Sequence, residues 1–278
     1  MRGWDDPRLG TLNGLRRRGY TPEAINAFCR DIGVSRTENT ILLSKLEFHL
    51  RAHLDVVARR AFAVLRPLRV TLVNVPAGET TWIEAPDFPR DRALGAHRIA
   101  LTRDLLIEAD DFRDDDDKDF FGLAPGKVAG LRYAGYVRVV EVLRDARTGA
   151  ACELRCEYDA SRSAAAGKVK GNLHWVSAAP GCGADAEVRL YENLFTTEEP
   201  GSTGDWVAEI NPRSETVLTV RVDAFLAAAG AHKVGDAFQF ERLGFFVVDQ
   251  DSDAAAGRYV FNQTVGLKEA AVVKTAKA

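Results

Sequence analysis

The chain has 278 residues, 46% hydrophobic and 28% charged, which is enough for two modest domains or one large β unit with real cores. No run of about 18 apolar residues is present to cross a bilayer. The start (Met1, Arg2, Gly3, Trp4, Asp5, Asp6) lacks the apolar stretch of a secretory signal, so a soluble, cytoplasmic protein is expected. A formal net charge of −3 and a pI of about 6.0 give no global attraction to nucleic acid or acidic membranes, so any RNA contact must rest on local basic clusters.

In chain order, the first sixty or so residues read as helices. Thr21 before Pro22 is an N-cap with proline at the first helical position, and Ile25, Phe28, Cys29 and Ile32 follow at helical spacing until Gly33. Ser44 and Glu47 have the spacing of a capping box, after which Leu46, Leu50 and Leu54 line one face of a helix running toward Ala58. Arg16, Arg17 and Arg18 are expected to close the first helical segment, and Arg59 and Arg60 a later one.

From residue 67 the period becomes two. Short β-branched or aromatic runs occupy 69–75, 98–102, 131–142, 152–158, 172–176, 187–194, 216–222, 238–242, 244–249 and 259–265. Many short strands without long intervening helices predict barrels or sandwiches. The acidic run 114–117 and the small-residue stretch 161–167 read as connecting loops, and 268–278 carries no core pattern. No internal sequence repeat is evident.

Few residues carry the signature of catalysis. His49 and His53 have the i, i+4 spacing of a zinc helix but enclose Leu50, Arg51 and Ala52 rather than a glutamate, so they read as helix-surface residues and no metal is expected. Gly126-Lys127-Val128 and Gly167-Lys168-Val169 lack the Ser or Thr and the upstream glycine of a phosphate loop. The four cysteines, Cys29, Cys152, Cys156 and Cys182, include no Cys-x-x-Cys pair and fit a reducing compartment. Basic clusters say more: the arginines above, Arg66 and Arg69 beyond them, and Lys127, Arg132, Arg138, Lys168 and Lys170. Each has a capping or surface explanation, but together they favour a surface that follows phosphates.

Extended blocks decide the family. Gly3-Trp4-Asp5-Asp6-Pro7-Arg8, Gly14-Leu15-Arg16-Arg17-Arg18-Gly19-Tyr20, His174-Trp175-Val176-Ser177, Val188-Arg189-Leu190-Tyr191, Phe238-Gln239-Phe240-Glu241-Arg242 and Val260 through Lys268 occur in an order that resembles glutaminyl-tRNA synthetases, class I aminoacyl-tRNA synthetases, from Gly3 to about Glu269. The resemblance implies a mainly β fold with an N-terminal α-helical subdomain, 1–58, contacting the tRNA body. It implies an anticodon-binding region, 59–278, of two antiparallel β-barrels like those of a ribosomal protein, one interrupted by the other. Family members attach glutamine to its tRNA using ATP and Mg²⁺ in an N-terminal catalytic domain with His-Ile-Gly-His and Met-Ser-Lys type motifs. Neither motif is present, so the chain is expected to hold no catalytic residues or cofactor and to be inactive alone. Glutamine tRNA and the family's own catalytic domain are the implied partners, with a multi-synthetase complex left open and no membrane.

By the same resemblance, Arg60, Gln239 and Arg242 form the pocket for the middle anticodon base, uridine, and Arg132 lies beside the first base. A fixed arginine fork and a glutamine amide suit the acceptors and imino donor of uracil. Arg16, Arg17 and Arg18 are expected on the tRNA body. The arginine that meets the third base, guanine, has no counterpart: its place is taken by Gly122 in Phe121-Gly122-Leu123. Gly130 stands at an arginine position of bacterial-type members where eukaryotic relatives also carry glycine, Asp119 replaces a glutamine of the family, and Lys118 and Lys127 are the nearest cations in sequence. The other readings that the residues leave open are the equivalent part of an archaeal or eukaryotic-type glutamyl-tRNA synthetase and a free-standing RNA-binding barrel module.

Overall fold

The computed structural model describes residues 1–37, 40–163, 169–197, 199–202, 204–228 and 232–268. Lys168 and the tail beyond residue 268 lie outside them. Three helices come first: α1 (Leu12–Arg17), α2 (Pro22–Ile32) and α3 (Leu43–Val57). Thr21 caps α2 as its sequence predicts, accepting from Ala24 N, and Gly33 ends it with φ 67°. The capping box at Ser44 does not form. The α3 helix starts two residues earlier, with Leu42 at the N-cap and no side-chain cap, because its Leu46, Leu50 and Leu54 stripe is seated by packing. That stripe covers Tyr20 and Ala24 on one side and Phe245 and Val265 on the other.

Arg59 and Arg60 do not close a helix. They begin β1 (Arg59–Ala61), which continues through Phe62 into β2 (Ala63–Val64). This short segment is paired on both sides. Its first half runs parallel to β14 (Ala237–Phe240), and its second half runs antiparallel to β13 (Glu215–Asp223). Since β1 and β2 are the two edges of one seven-stranded sheet, the sheet comes round on itself as a barrel, with β15 (Gly244–Val248), β16 (Val260–Gly266) and β12 (Gly183–Tyr191) completing it in the order β1-β14-β15-β16-β12-β13-β2. Closure leaves no free edge to template other chains.

A second seven-stranded sheet repeats this plan within the interruption. It contains β3 (Pro67–Leu72), β6 (Asp104–Glu108), β7 (Val128–Leu131), β8 (Tyr136–Arg144) and β9 (Ala151–Asp159), and its edges β10 (Asn172–Leu173) and β11 (Val176–Ser177) are again two halves of one segment. Reading round each barrel from its closing segment, the pairings run parallel, antiparallel, antiparallel, parallel, antiparallel, antiparallel in both. The closing segment precedes the other strands in one barrel and follows them in the other, so the two are circular permutations of one topology. The hairpin of β4 (Thr80–Pro86) and β5 (Ala96–Thr102) is an addition to the inserted barrel.

The sequence-predicted runs at 131–142 and 172–176 each prove to be two strands. Tyr133, at φ 66°, turns the chain between β7 and β8, and His174-Trp175 separate β10 from β11. The strands β4 and β6 are not among the predicted runs.

Alternation along the first closing segment joins the two cores. Ala61 and Ala63 point into the outer barrel among Phe238, Phe240, Phe246 and Phe261, while Phe62 and Val64 belong to the core of the inserted barrel. Asp223 fixes the segment, its carboxylate accepting from Phe62 N at 2.9 Å and its N–H donating to Phe62 O at 3.1 Å. Burial pushes the Asp223 carboxyl up from its ordinary value.

Helix α1 is tied to the outer barrel by ions. Arg17 donates to both Asp249 oxygens at 3.0 and 3.1 Å, to Asp251 at 3.0 Å and to Asp5 at 2.9 Å, while Arg189 approaches Asp249 from the other side at 3.3 Å. Burial would raise Asp249, but the bonds from Arg17, Asp251 N–H and Asn262 outweigh it and hold the carboxyl below its usual range. A carboxylate depressed in the folded state contributes stability that is complete above the unfolded value, roughly pH 4, and is lost as pH falls through the folded value. Arg17→Ala should therefore cost about 2–3 kcal/mol near neutrality, with the deficit shrinking on acidification. Urea unfolding at neutral and acid pH measures both effects, and a constant deficit across that range would remove Asp249 as its source.

Candidate nucleic-acid interface

The two barrels meet through equivalent parts. Aligning them by their shared topology puts Glu241-Arg242-Leu243-Gly244 of the outer barrel opposite Arg132-Tyr133-Ala134-Gly135 of the inserted one. In each, the first residue donates its N–H to the closing segment, Glu241 to Ala61 O at 3.0 Å and Arg132 to Leu173 O at 2.8 Å. In each, the second residue has a left-handed backbone though it is not glycine, Arg242 at φ 68° and Tyr133 at φ 66°. These two side chains cross in opposite directions. Tyr133 stacks on Phe62 with ring centroids 5.9 Å apart and donates to Glu241 at 2.9 Å; Arg242 reaches Asp111 and His174. The closing segments touch where Phe62 meets Trp175 edge-on at 6.0 Å.

The residues expected to read an anticodon lie along this junction. Arg60 and Gln239 are register partners between β1 and β14, so their side chains leave the same face of the barrel. Gln239 does face outward, as its alternation with Phe238 and Phe240 predicts, yet it is 8% exposed. Its Oε1 accepts no hydrogen bond from the described residues, a costly state for a buried carbonyl. Arg60 is 7% exposed, donating to Ala58 O and Asp55 Oδ1 at 3.0 Å each, and Asp55 also pairs with the exposed Arg90 at 2.7 Å. Two residues on, just past the end of β14, Glu241 lies 3.0 Å from Arg132 Nε. Burial works against charge on Arg132, but the Glu241 carboxylate outweighs it and raises the guanidinium pKa.

Arg132 and Tyr133 also line an open cleft of about 490 Å³ with Arg92, Arg162, Asn172 and Glu84. Arg92 and Arg162 were not singled out from the sequence. The surrounding sequence gave no signal for them, because the β4–β5 hairpin and the loop after β9 supply them from distant positions. Arg162 is anchored by Nε to Ala134 O at 2.7 Å, and Arg92 makes no ion pair among the described residues.

The arginine triplet divides. Arg17 is consumed by its carboxylates, and Arg18 is directed at Gln263 O and Tyr191 O, lying 5.4 Å over the Tyr191 ring. Arg16 is exposed and makes no ion pair among the described residues. His49 and His53 face Asp31 and Glu23, joining α3 to α2.

At the place where relatives are expected to carry an arginine, Gly122 lies against the backbone of Asp111. A Cβ there would stand 2.3 Å from Asp111 O, and Leu123 N donates to that same oxygen at 2.7 Å. Beside it Phe121 is 56% exposed. Lys127 is bound to Asp116 and to Phe120 O, and Lys170 to Lys118 O. At Gly130, the second replaced arginine position, Asn172 Oδ1 fills the space a Cβ would take.

Comparison with known proteins shows the family. Sequence models described as "tRNA synthetases class I (E and Q), anti-codon binding domain" match residues 58–159 and 172–249, and one described as the catalytic domain of the same class matches 1–56. The helical segment thus falls within the family's catalytic-domain model. Each anticodon-binding match holds the closing segment of one barrel and strands of the other. The glutamine–tRNA ligase of Lupinus luteus is 44% identical over 274 residues, covering 96% of this chain and 34% of the relative. A probable glutamine–tRNA ligase of Dictyostelium discoideum is 46% identical over 272 residues (97% and 34%), and the glutamine–tRNA ligase of Nitrobacter hamburgensis 43% over 271 (96% and 47%). The chain therefore spans a third to a half of the length of the curated relatives it matches, and it belongs to the class I tRNA synthetases of the glutamate and glutamine type, whose anticodon-binding domains it carries.

Proposed function

We propose that this chain binds the anticodon arm of glutamine tRNA as part of a glutamine–tRNA ligase, with 1–58 toward the tRNA body and 59–278 on the anticodon. The observation that carries this is the buried Oε1 of Gln239, unbonded among the described residues, beside Arg60 at the barrel junction. Uracil fits that environment. Its N3–H would donate to Gln239 Oε1, and its two carbonyls would accept from Arg60 and Arg242, which retain N–H groups beyond those used within the chain. A cytosine has no N3–H to donate. The cleft of Arg92, Arg132, Arg162 and Tyr133 suits the first base, with a ring to stack on and cations for its phosphate. Phe121 would stack on the third base, which it reads little, since every base has a π face.

The whole enzyme, on this reading, joins glutamine to its tRNA with ATP and Mg²⁺ in the cytoplasm, and its catalytic domain is the chain's intramolecular partner. No residue here is assigned to ATP or Mg²⁺. Among the described residues no helix is long and apolar enough to cross a membrane.

Four outcomes are expected. Gln239→Ala and Arg60→Ala should weaken binding of a glutamine anticodon stem-loop by about 1–3 kcal/mol, with little change for a stem-loop carrying cytidine at the middle position; equal losses would make both residues phosphate contacts. Arg16→Ala should flatten the salt dependence of full-length tRNA binding, by about one unit of slope if it neutralises one phosphate, and an unchanged slope would leave it a surface residue. Phe121→Ala should lower affinity by about 1–3 kcal/mol for guanine and adenine alike at the third position. Strong guanine selectivity in the native chain would mean that another side chain reads that base. Glutamine tRNA should bind better than glutamate tRNA throughout; parity would favour the glutamyl reading.

A further inference from the structure

Arg242 is the most constrained exposed cation at the barrel junction. Its five N–H donors can be accounted for one by one. Nη1 and Nη2 each give one to Asp111, at 2.6 Å to Oδ2 and 2.6 Å to Oδ1, the end-on form of a bidentate pair. Nη1 also faces His174 Nδ1 at 3.3 Å. The other ring nitrogen of His174 faces Glu108 Oε1 at 3.4 Å, so Nε2 carries the proton and Nδ1 is the acceptor. Glu108 is held in turn by Leu65 N at 2.6 Å and Arg66 N at 3.0 Å. What remains is Nε–H and the second hydrogen of Nη2, two adjacent donors on the side-on edge of a guanidinium whose side chain is 36% exposed.

Asp111 is itself fixed. Its side chain is 8% exposed, and its carbonyl accepts from Leu123 N against the bare backbone of Gly122. Any side chain at 122 would displace it. The lost arginine at 122 and the fixed arginine at 242 are thus linked through one residue.

We infer that Asp111 is a positioning residue for base recognition: it turns the side-on edge of Arg242 toward the base, His174 sets its rotation, and Gly122 makes room for Asp111. This rests on the reading of Arg242 as a contact of the middle base. An arginine without this anchor swings freely and serves any phosphate, keeping affinity and losing selectivity.

The test measures binding of stem-loops with uridine or cytidine at the middle position to the native chain, Asp111→Asn, Asp111→Glu, Gly122→Ala, Arg242→Ala and the Asp111→Asn/Arg242→Ala double variant. Asp111→Asn is expected to cut the uridine preference about tenfold, one good base contact, while affinity for the cytidine stem-loop stays within about twofold. Gly122→Ala should act in the same direction, and Asp111→Asn should add nothing once Arg242 is alanine. Should Asp111→Asn fail to fold, Asp111→Glu, which keeps the charge but moves it by one methylene, is expected to lower the preference in its place. Full preference in folded Asp111 and Gly122 variants, with Arg242→Ala losing it, would overturn the positioning role. Full preference in Arg242→Ala would instead overturn the reading of Arg242, and the inference with it.

Discussion

The contact between Phe62 and Trp175 is where the rest of the architecture is decided. Each ring sits in a segment that pairs on both sides and so closes a barrel. In the first of these, side-chain alternation leaves only alanines for the outer barrel, already filled by four phenylalanines, and gives Phe62 and Val64 to the inserted one. The outer barrel cannot close without also filling part of the inserted barrel's core. Their relative position therefore follows from this shared segment and does not depend on a separate docking surface, which would keep the proposed base pocket rigid.

Equivalent turns on either side of that contact carry unlike side chains. The same left-handed backbone presents an aromatic ring from the inserted barrel and a guanidinium from the outer one. A non-glycine residue in that conformation persists only where its surroundings overdetermine it, and here each side chain ends on a carboxylate of the other barrel, Tyr133 on Glu241 and Arg242 on Asp111. One topology, used twice with its closing segment moved from front to back, thus supplies one edge for stacking and one for directed donors.

Much of this was legible in the sequence, and what was not has identifiable causes. Period-two runs located most of the strands because their alternating burial is local. The capping box at Ser44 misled because a buried leucine stripe outweighs a cap of about 1 kcal/mol. Arg59 and Arg60 look like a helix end because arginines favour that place, whereas Ala61 and Phe62 beside them are core residues of two barrels. The duplicated topology left no trace in sequence because pairings such as 59–61 with 238–240, or β3 with β9, join distant residues. Circular permutation also puts equivalent strands out of step.

For the arginines, sequence gives the cation but not its counterion, and in a chain of net charge −3 many of the described cations are claimed by carboxylates. Arg17 shows the consequence: adjacent to the exposed Arg16, it is locked among Asp5, Asp249 and Asp251 and holds α1 to the barrel. Arg242 is claimed too, but on one edge only. A carboxylate that took the whole guanidinium would silence it, and none at all would leave it a floating charge. Two oxygens placed end-on, with an imidazole beside them, use three donors and leave two adjacent ones, the arrangement that the proposed reading of a base edge requires.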